Sequence, residues 1–150
     1  MFKKLIDYKE GKIYAIRCYT DKTVLYIGCS KLPLKQRFGL HISNYKIGST
    51  KNCLLHKAVK DDPLGWGNYY IELIEYYPCD NRKELCLREG FYQRNMKTTL
   101  NKNIAGRTQW EWQQTHKEEQ KLYQQKFNIK NPGYFKKYYE KQKEKKRLPL

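Results

Sequence analysis

The sequence predicts a small α/β sandwich: a three-stranded antiparallel sheet flanked by helices in the order ββααβα, followed by a basic C-terminal tail that is helical or partly disordered. Three observations predict it. Two short runs rich in β-branched and aromatic residues stand close together near the N-terminus. Apolar residues at helical spacing follow them. A third strand-like run then leads directly into a helical segment with its own capping residue.

Residues 12–19, KIYAIRCY, and 23–28, TVLYIG, read as a hairpin around Thr20-Asp21-Lys22. Pro33 opens a helix over 33–46, where its missing N–H costs nothing. A second, short helix spans 52–60, and Asp61-Asp62-Pro63 and Gly65-Trp66-Gly67 break it. The third strand is 68–77, NYYIELIEYY, with Ile71 and Leu73 alternating against Glu72 and Ile74. Pro78 ends it. Asn81 or Asp80 caps a third helix over 82–96, and 98–106 is a loop.

Composition shifts near residue 107. Residues 1–106 carry a net charge of +9, nearly all the aliphatic runs and eight of the nine glycines. Residues 107–150 carry +7 and few aliphatic side chains. The expected organisation is a globular domain at 10–106 and a basic, Lys/Tyr/Gln-rich appendage at 107–150, with Asn131-Pro132-Gly133 breaking its two helix-prone halves.

The whole chain of 150 residues has a formal charge of +16 and a mean hydropathy of −0.96. No window approaches the ~18 uncharged apolar residues of a membrane span, and charges interrupt the N-terminus where a secretory signal has its apolar centre. The expectation is a protein of a reducing compartment, cytoplasm or nucleus, with no membrane. The charge calls for a polyanionic partner, with nucleic acid first and an acidic membrane surface second. Five cysteines, an odd number without a CxxC pair, fit no zinc ligand spacing and read as reduced, buried filler.

Three local patterns carry chemistry. In the helix 33–46, Leu34, Phe38, Ile42 and Tyr45 form an apolar stripe within about 80°. Arg37 and His41 stack at its border, one turn apart, where they can hold a phosphodiester. In the helix 82–96, Glu89 interrupts the apolar line Leu85, Tyr92, Met96, with Cys86 at its edge. A carboxylate there needs a cation or donors, such as Arg37 or a hard divalent metal. In the hairpin, a register that pairs residues of even sum puts Tyr14 and Tyr26 on one face, with Tyr26 opposite Ile16. A two-residue Asp21-Lys22 loop would put them on opposite faces.

KIY at 12–14, YIG at 26–28, Arg37, His41, Glu89 and Asn101 occur in the order seen in the GIY-YIG nuclease family, which the sequence resembles over about residues 11–106. Lys12 stands where the family usually has glycine. LNKNIAGR and the Lys/Tyr/Glu-rich tail are similar to stand-alone members of large DNA viruses. The resemblance implies endonucleolytic hydrolysis of DNA with one divalent metal, Mg²⁺ or Mn²⁺, leaving 5′-phosphate and 3′-hydroxyl ends. In that reading Glu89 holds the metal and Arg37 binds the scissile phosphate. Tyr14 is the general base with Tyr26 beside it, its pKa lowered by neighbouring cations; the reverse assignment and a proton relay through His41 stay open. Asn101 anchors the phosphate backbone or holds its loop, and Lys31 adds a phosphate contact.

Two other classes compete. One is a catalytically inactive basic nucleic-acid-binding module of the same fold. The other is an interaction subunit whose tail recruits a partner. Metal-dependent nicking of a plasmid separates both from the nuclease. Oligomeric state and target preference are open.

Overall fold

A computed structural model describes residues 7–23, 25–49 and 53–147. Strand β1 (Lys12–Cys18) is the centre of a sheet ordered β2-β1-β3, with β2 (Leu25–Ser30) and β3 (Tyr69–Tyr76) both antiparallel to it. A central strand with both faces covered cannot follow a polar-apolar alternation, and β1 is buried along almost its whole length. Its odd residues Ile13 and Ala15 join Leu25, Ile27 and Leu85 in one core. Its even residues Tyr14, Ile16 and Cys18 join Leu55, Val59 and Tyr69 in another.

The helices divide accordingly. Helix α3 (Arg82–Asn95) covers the odd face through Leu85 and Tyr92. Helices α1 (Leu34–Lys46) and α2 (Leu54–Asp61) cover the even face through Leu34, Phe38, Tyr45, Leu55 and Val59. The ββααβα order is as expected, and Asn81 caps α3 by accepting from the Glu84 N–H. A 3₁₀ turn at Gly65–Asn68, where the sequence showed only breakers, leads into β3.

The β1–β2 register pairs Tyr14 with Gly28 and Ile16 with Tyr26, the even-sum alternative. The connection is longer than the three residues expected. The ladder ends at the Arg17–Leu25 pair, and Asp21 organises the turn by accepting from the Thr23 backbone and hydroxyl. Val24 of the expected second strand and Asn52 of the expected second helix lie outside the described residues. On the other side, a bulge between Ile13 and Tyr14 shifts the pairing with β3. It leaves Ile71 on the even core and Ile74 on the odd one.

Residues after Arg107 form a separate compact unit. Thr108 and Glu111 make a reciprocal capping box at the start of α4 (Gln109–Thr115). Helices α5 (Lys117–Lys130) and α6 (Tyr134–Arg147) follow, separated at Gly133, whose φ of 77° is left-handed. The first expected half is itself split at His116, which stacks on Trp112 at 4.8 Å. No residue from 108 to 145 is buried, so these helices carry no core of their own. Among the described residues no helix is long and apolar enough to cross a membrane.

Candidate active site

Tyr14 is the centre of the site and has no exposed surface. Its hydroxyl accepts from Arg37 Nε at 2.9 Å and lies 2.9 Å from His41 Nε2. Arg37 can only donate, so it takes a lone pair of the phenol oxygen. The contact with His41 Nε2 runs either way according to the imidazole tautomer, and with the ring hydrogen on Nδ1 the phenol donates to Nε2. The i, i+4 spacing of Arg37 and His41 on α1 is what brings both to one oxygen.

Tyr26 completes the group, its ring 6.4 Å from that of Tyr14 and 5.5 Å from that of His41. Both phenols therefore share the even face of the sheet. Among the described residues, Nε is the only atom of the Arg37 guanidinium that makes a hydrogen bond, so both Nη groups remain for a ligand.

Glycine at 28 is required by packing. A Cβ there would lie 2.6 Å from Tyr14 Cζ, and the Tyr14 ring, buried and tied at its hydroxyl, has nowhere to move. Gly28→Ala is expected to destabilise the fold by about 1–3 kcal/mol and to reduce activity to the level of a Tyr14 variant. Denaturant unfolding alongside a cleavage assay checks both.

Glu89 comes from α3 on the opposite face, so the site spans the β2 edge of the sheet. Its Oε1 accepts from Gln93 Nε2 at 2.8 Å. Burial raises its pKa, while the Cys29 thiol, the positive charge of Arg37 and Gln93 oppose that rise. Its negative charge also adds to the upward shift of the Tyr14 and Tyr26 phenols. The Cys29 and Cys86 sulfurs and a Glu89 oxygen all lie within 4.8 Å of one another. A hard ion that keeps most of its water needs one such protein oxygen, so Glu89 fits Mg²⁺ or Mn²⁺; the two thiols do not suit those ions.

Two electrostatic expectations are corrected. Arg37 does pull both phenol pKa values down, but the net shift is upward. Burial outweighs Arg37 and pushes Tyr14 up to about 12, and it raises Tyr26 further. Nor is His41 a cation: burial, then Arg37 and His56, pull its pKa down to about 3. The cysteines are corrected as well. Cys18 and Cys79 are buried, but Cys29 and Cys86 are half-buried and face a carboxylate.

Asn101 makes the loop-holding contact of its two expected roles. Its Oδ1 accepts from the Ile27 N–H at 2.8 Å and its Nδ2 donates to the Ile27 carbonyl at 2.7 Å. With Thr99 and Leu100 bonded to the Leu25 carbonyl, the loop takes the place of a fourth strand along the free edge of β2. Lys31 is exposed beside a cavity of ≈ 310 Å³ that is also lined by Arg37 and Arg82. Gln93 was missed in the sequence. It is buried and joins Glu89, Ile27 and the Ala105 N–H. Its position one turn after Glu89 was the available signal.

The family model described as the GIY-YIG catalytic domain matches residues 10–103. Comparisons with curated proteins and with solved structures find no match.

Proposed function

This chain belongs to the GIY-YIG catalytic-domain family, and from that premise we propose that it is a metal-dependent endonuclease that hydrolyses DNA phosphodiester bonds, leaving 5′-phosphate and 3′-hydroxyl ends. The observation that carries the reading is the Tyr14 hydroxyl held between Arg37 and His41. A guanidinium fork, a phenol with a proton acceptor behind it and a carboxylate for a hard ion are the groups that phosphodiester hydrolysis needs.

Arg37 binds the scissile phosphate through its Nη groups. As the guanidinium turns to the phosphate, its Nε leaves Tyr14 and frees a lone pair of the phenol oxygen for the attacking water. The water proton passes to Tyr14 as the Tyr14 proton passes to His41 Nε2. That route needs no free phenolate, which a pKa of about 12 makes scarce at neutral pH. Tyr26 closes the site beside them, and Lys31 adds a phosphate contact. Glu89 would hold one Mg²⁺ or Mn²⁺, which would supply stabilisation of the charge on the leaving oxygen. Gln93 and Asn101 keep the carboxylate and the β2 edge in place. The likeness of LNKNIAGR and the tail to viral stand-alone members supports grouping it with those nucleases. Five free thiols suit a reducing compartment such as cytoplasm or nucleus.

Incubation with supercoiled plasmid and with nicked, flap and four-way DNA tests the reading. Cleavage in Mg²⁺ or Mn²⁺, and none in EDTA, is expected. Retention of every substrate as a complex without cleavage in either metal would leave only a binding module. The tail, with its net +7 and uncovered Lys and Tyr side chains, grips phosphates along the DNA backbone. Removal of 107–150 is expected to weaken DNA binding and to flatten log K against log salt by about 0.9 for each phosphate that the tail neutralises. An unchanged slope would take the tail out of binding.

A further inference from the structure

Cys29 lies on the edge strand β2, and Cys86 and Glu89 lie three residues apart on α3, so helix periodicity turns both toward the same strand. One sulfur from each cysteine and one carboxylate oxygen lie within 4.8 Å of one another, and all three residues are half-buried, neither sealed from solvent nor free in it. Bonds of about 2.3 Å to sulfur and 2.0 Å to oxygen in a tetrahedral shell space the ligand atoms by roughly 3.5–3.8 Å. The three donors therefore need to draw in by about 1.3 Å at most, which side-chain rotation supplies. Three protein ligands and a fourth position open to water is the arrangement of a zinc-type site with access for a ligand.

We propose that Cys29, Cys86 and Glu89 form a binding site for one thiophilic divalent ion of the zinc class. Two soft sulfurs beside one carboxylate select such an ion over Mg²⁺ or Mn²⁺, which bind oxygen alone. On binding, the ion displaces the two thiol protons to solvent. Two thiolates, one carboxylate and a divalent ion sum to a single negative charge, and Arg37, within electrostatic reach of both Cys29 and Glu89, offsets it. The site shares Glu89 with the hard-ion site of the proposed nuclease, so a zinc-class ion excludes the hard one. That consequence, unlike the binding itself, rests on the nuclease reading.

Titration of the reduced, tag-free full chain with Co²⁺ tests the site without recourse to activity. One equivalent is expected to bind with an intense sulfur-to-metal charge-transfer absorption, which one equivalent of Zn²⁺ abolishes by displacing the cobalt. Cys86→Ser and Cys29→Ser each weaken the absorption, and the double variant loses it, whereas Cys53→Ser keeps it. Glu89→Gln keeps the absorption, because both sulfurs remain. It raises the Co²⁺ Kd by at least the roughly 10–100-fold that loss of an outer-shell partner costs. Far-UV circular dichroism confirms folding, and if Cys29→Ser fails to fold, Cys86→Ser alone decides. Absence of the absorption in the wild-type chain, or its persistence in folded Cys86→Ser at full strength, overturns the proposal. The absorption in a chain that cleaves no DNA supports the site and removes only the nuclease reading.

Discussion

Glu89→Ala is expected to lower cleavage by at least roughly 10³-fold, equivalent to about 4 kcal/mol of transition-state stabilisation, while leaving DNA affinity within about threefold of wild type, because Lys and Arg contacts to phosphate dominate binding. The separation follows from where the carboxylate sits. Glu89 is half-buried at the β2 edge, where Gln93 Nε2 donates to it. Burial there raises its pKa, so the protein spends folding energy to keep a carboxyl group in a poorly solvated place. A group that existed for stability alone would cost little to replace by an apolar one. A single-turnover nicking assay and a gel-shift titration in Ca²⁺ or EDTA measure the two quantities separately. Full-rate cleavage by the alanine variant would remove Glu89 from the chemistry.

The second large effect concerns the Tyr14–His41 pair. Tyr14→Phe and His41→Gln are each expected to reduce the single-turnover rate by roughly 10²–10⁴-fold. The double variant should be no slower than the worse single, because each removes the same proton route. Additive losses would mean that the two side chains act independently. The pH dependence has a definite sign. His41 is neutral in the folded chain down to about pH 3, so no acid limb near pH 6.5 should appear in the rate from this residue. Phosphate on Arg37 cancels one of the charges that hold the imidazole neutral, which lets it take a proton during the reaction.

The same shift acts on stability. Unfolded His41 titrates at its ordinary value of 6.5, and folded His41 near 3. The folded-state advantage is complete above pH 6.5 and is lost as pH falls toward 3, by up to about 1.4 kcal/mol per pH unit for one proton. His56, also lowered by burial, adds in the same direction. Denaturant unfolding between pH 7 and 4 should show this slope, and His41→Gln should flatten it.

Periodic patterns made most of the domain legible. β-branched and aromatic runs, a helix-opening proline and an Asn cap locate β1, β2, α1 and α3 to within two or three residues, since each rests on interactions between near neighbours in the chain. The first helix shows why the site was partly legible too. Arg37 and His41 are four residues apart, so any helix puts them on one line, and the structure adds only the phenol oxygen they meet at. The bulge opposite Tyr14 had no signal, because it depends on how β3 docks against a strand some sixty residues earlier. The convergence of Cys29 with Cys86 and Glu89 was equally hidden: their spacing in sequence matches no local ligand pattern, and only α3 packing across β2 brings them together.

The sequence by itself determined the charge, the order of elements, the helical pairing of Arg37 with His41 and the two hairpin alternatives, of which the even-sum one puts Tyr14 beside Tyr26. Those follow from fixed periods of 3.6 and 2 residues and from residue type. Only the tertiary structure decided between the two registers, shifted the pKa values, with Tyr14 and Glu89 raised and His41 lowered, and assigned Asn101 to the β2 edge. Desolvation and long-range hydrogen bonding depend on what surrounds a group in space, and no spacing along the chain encodes that.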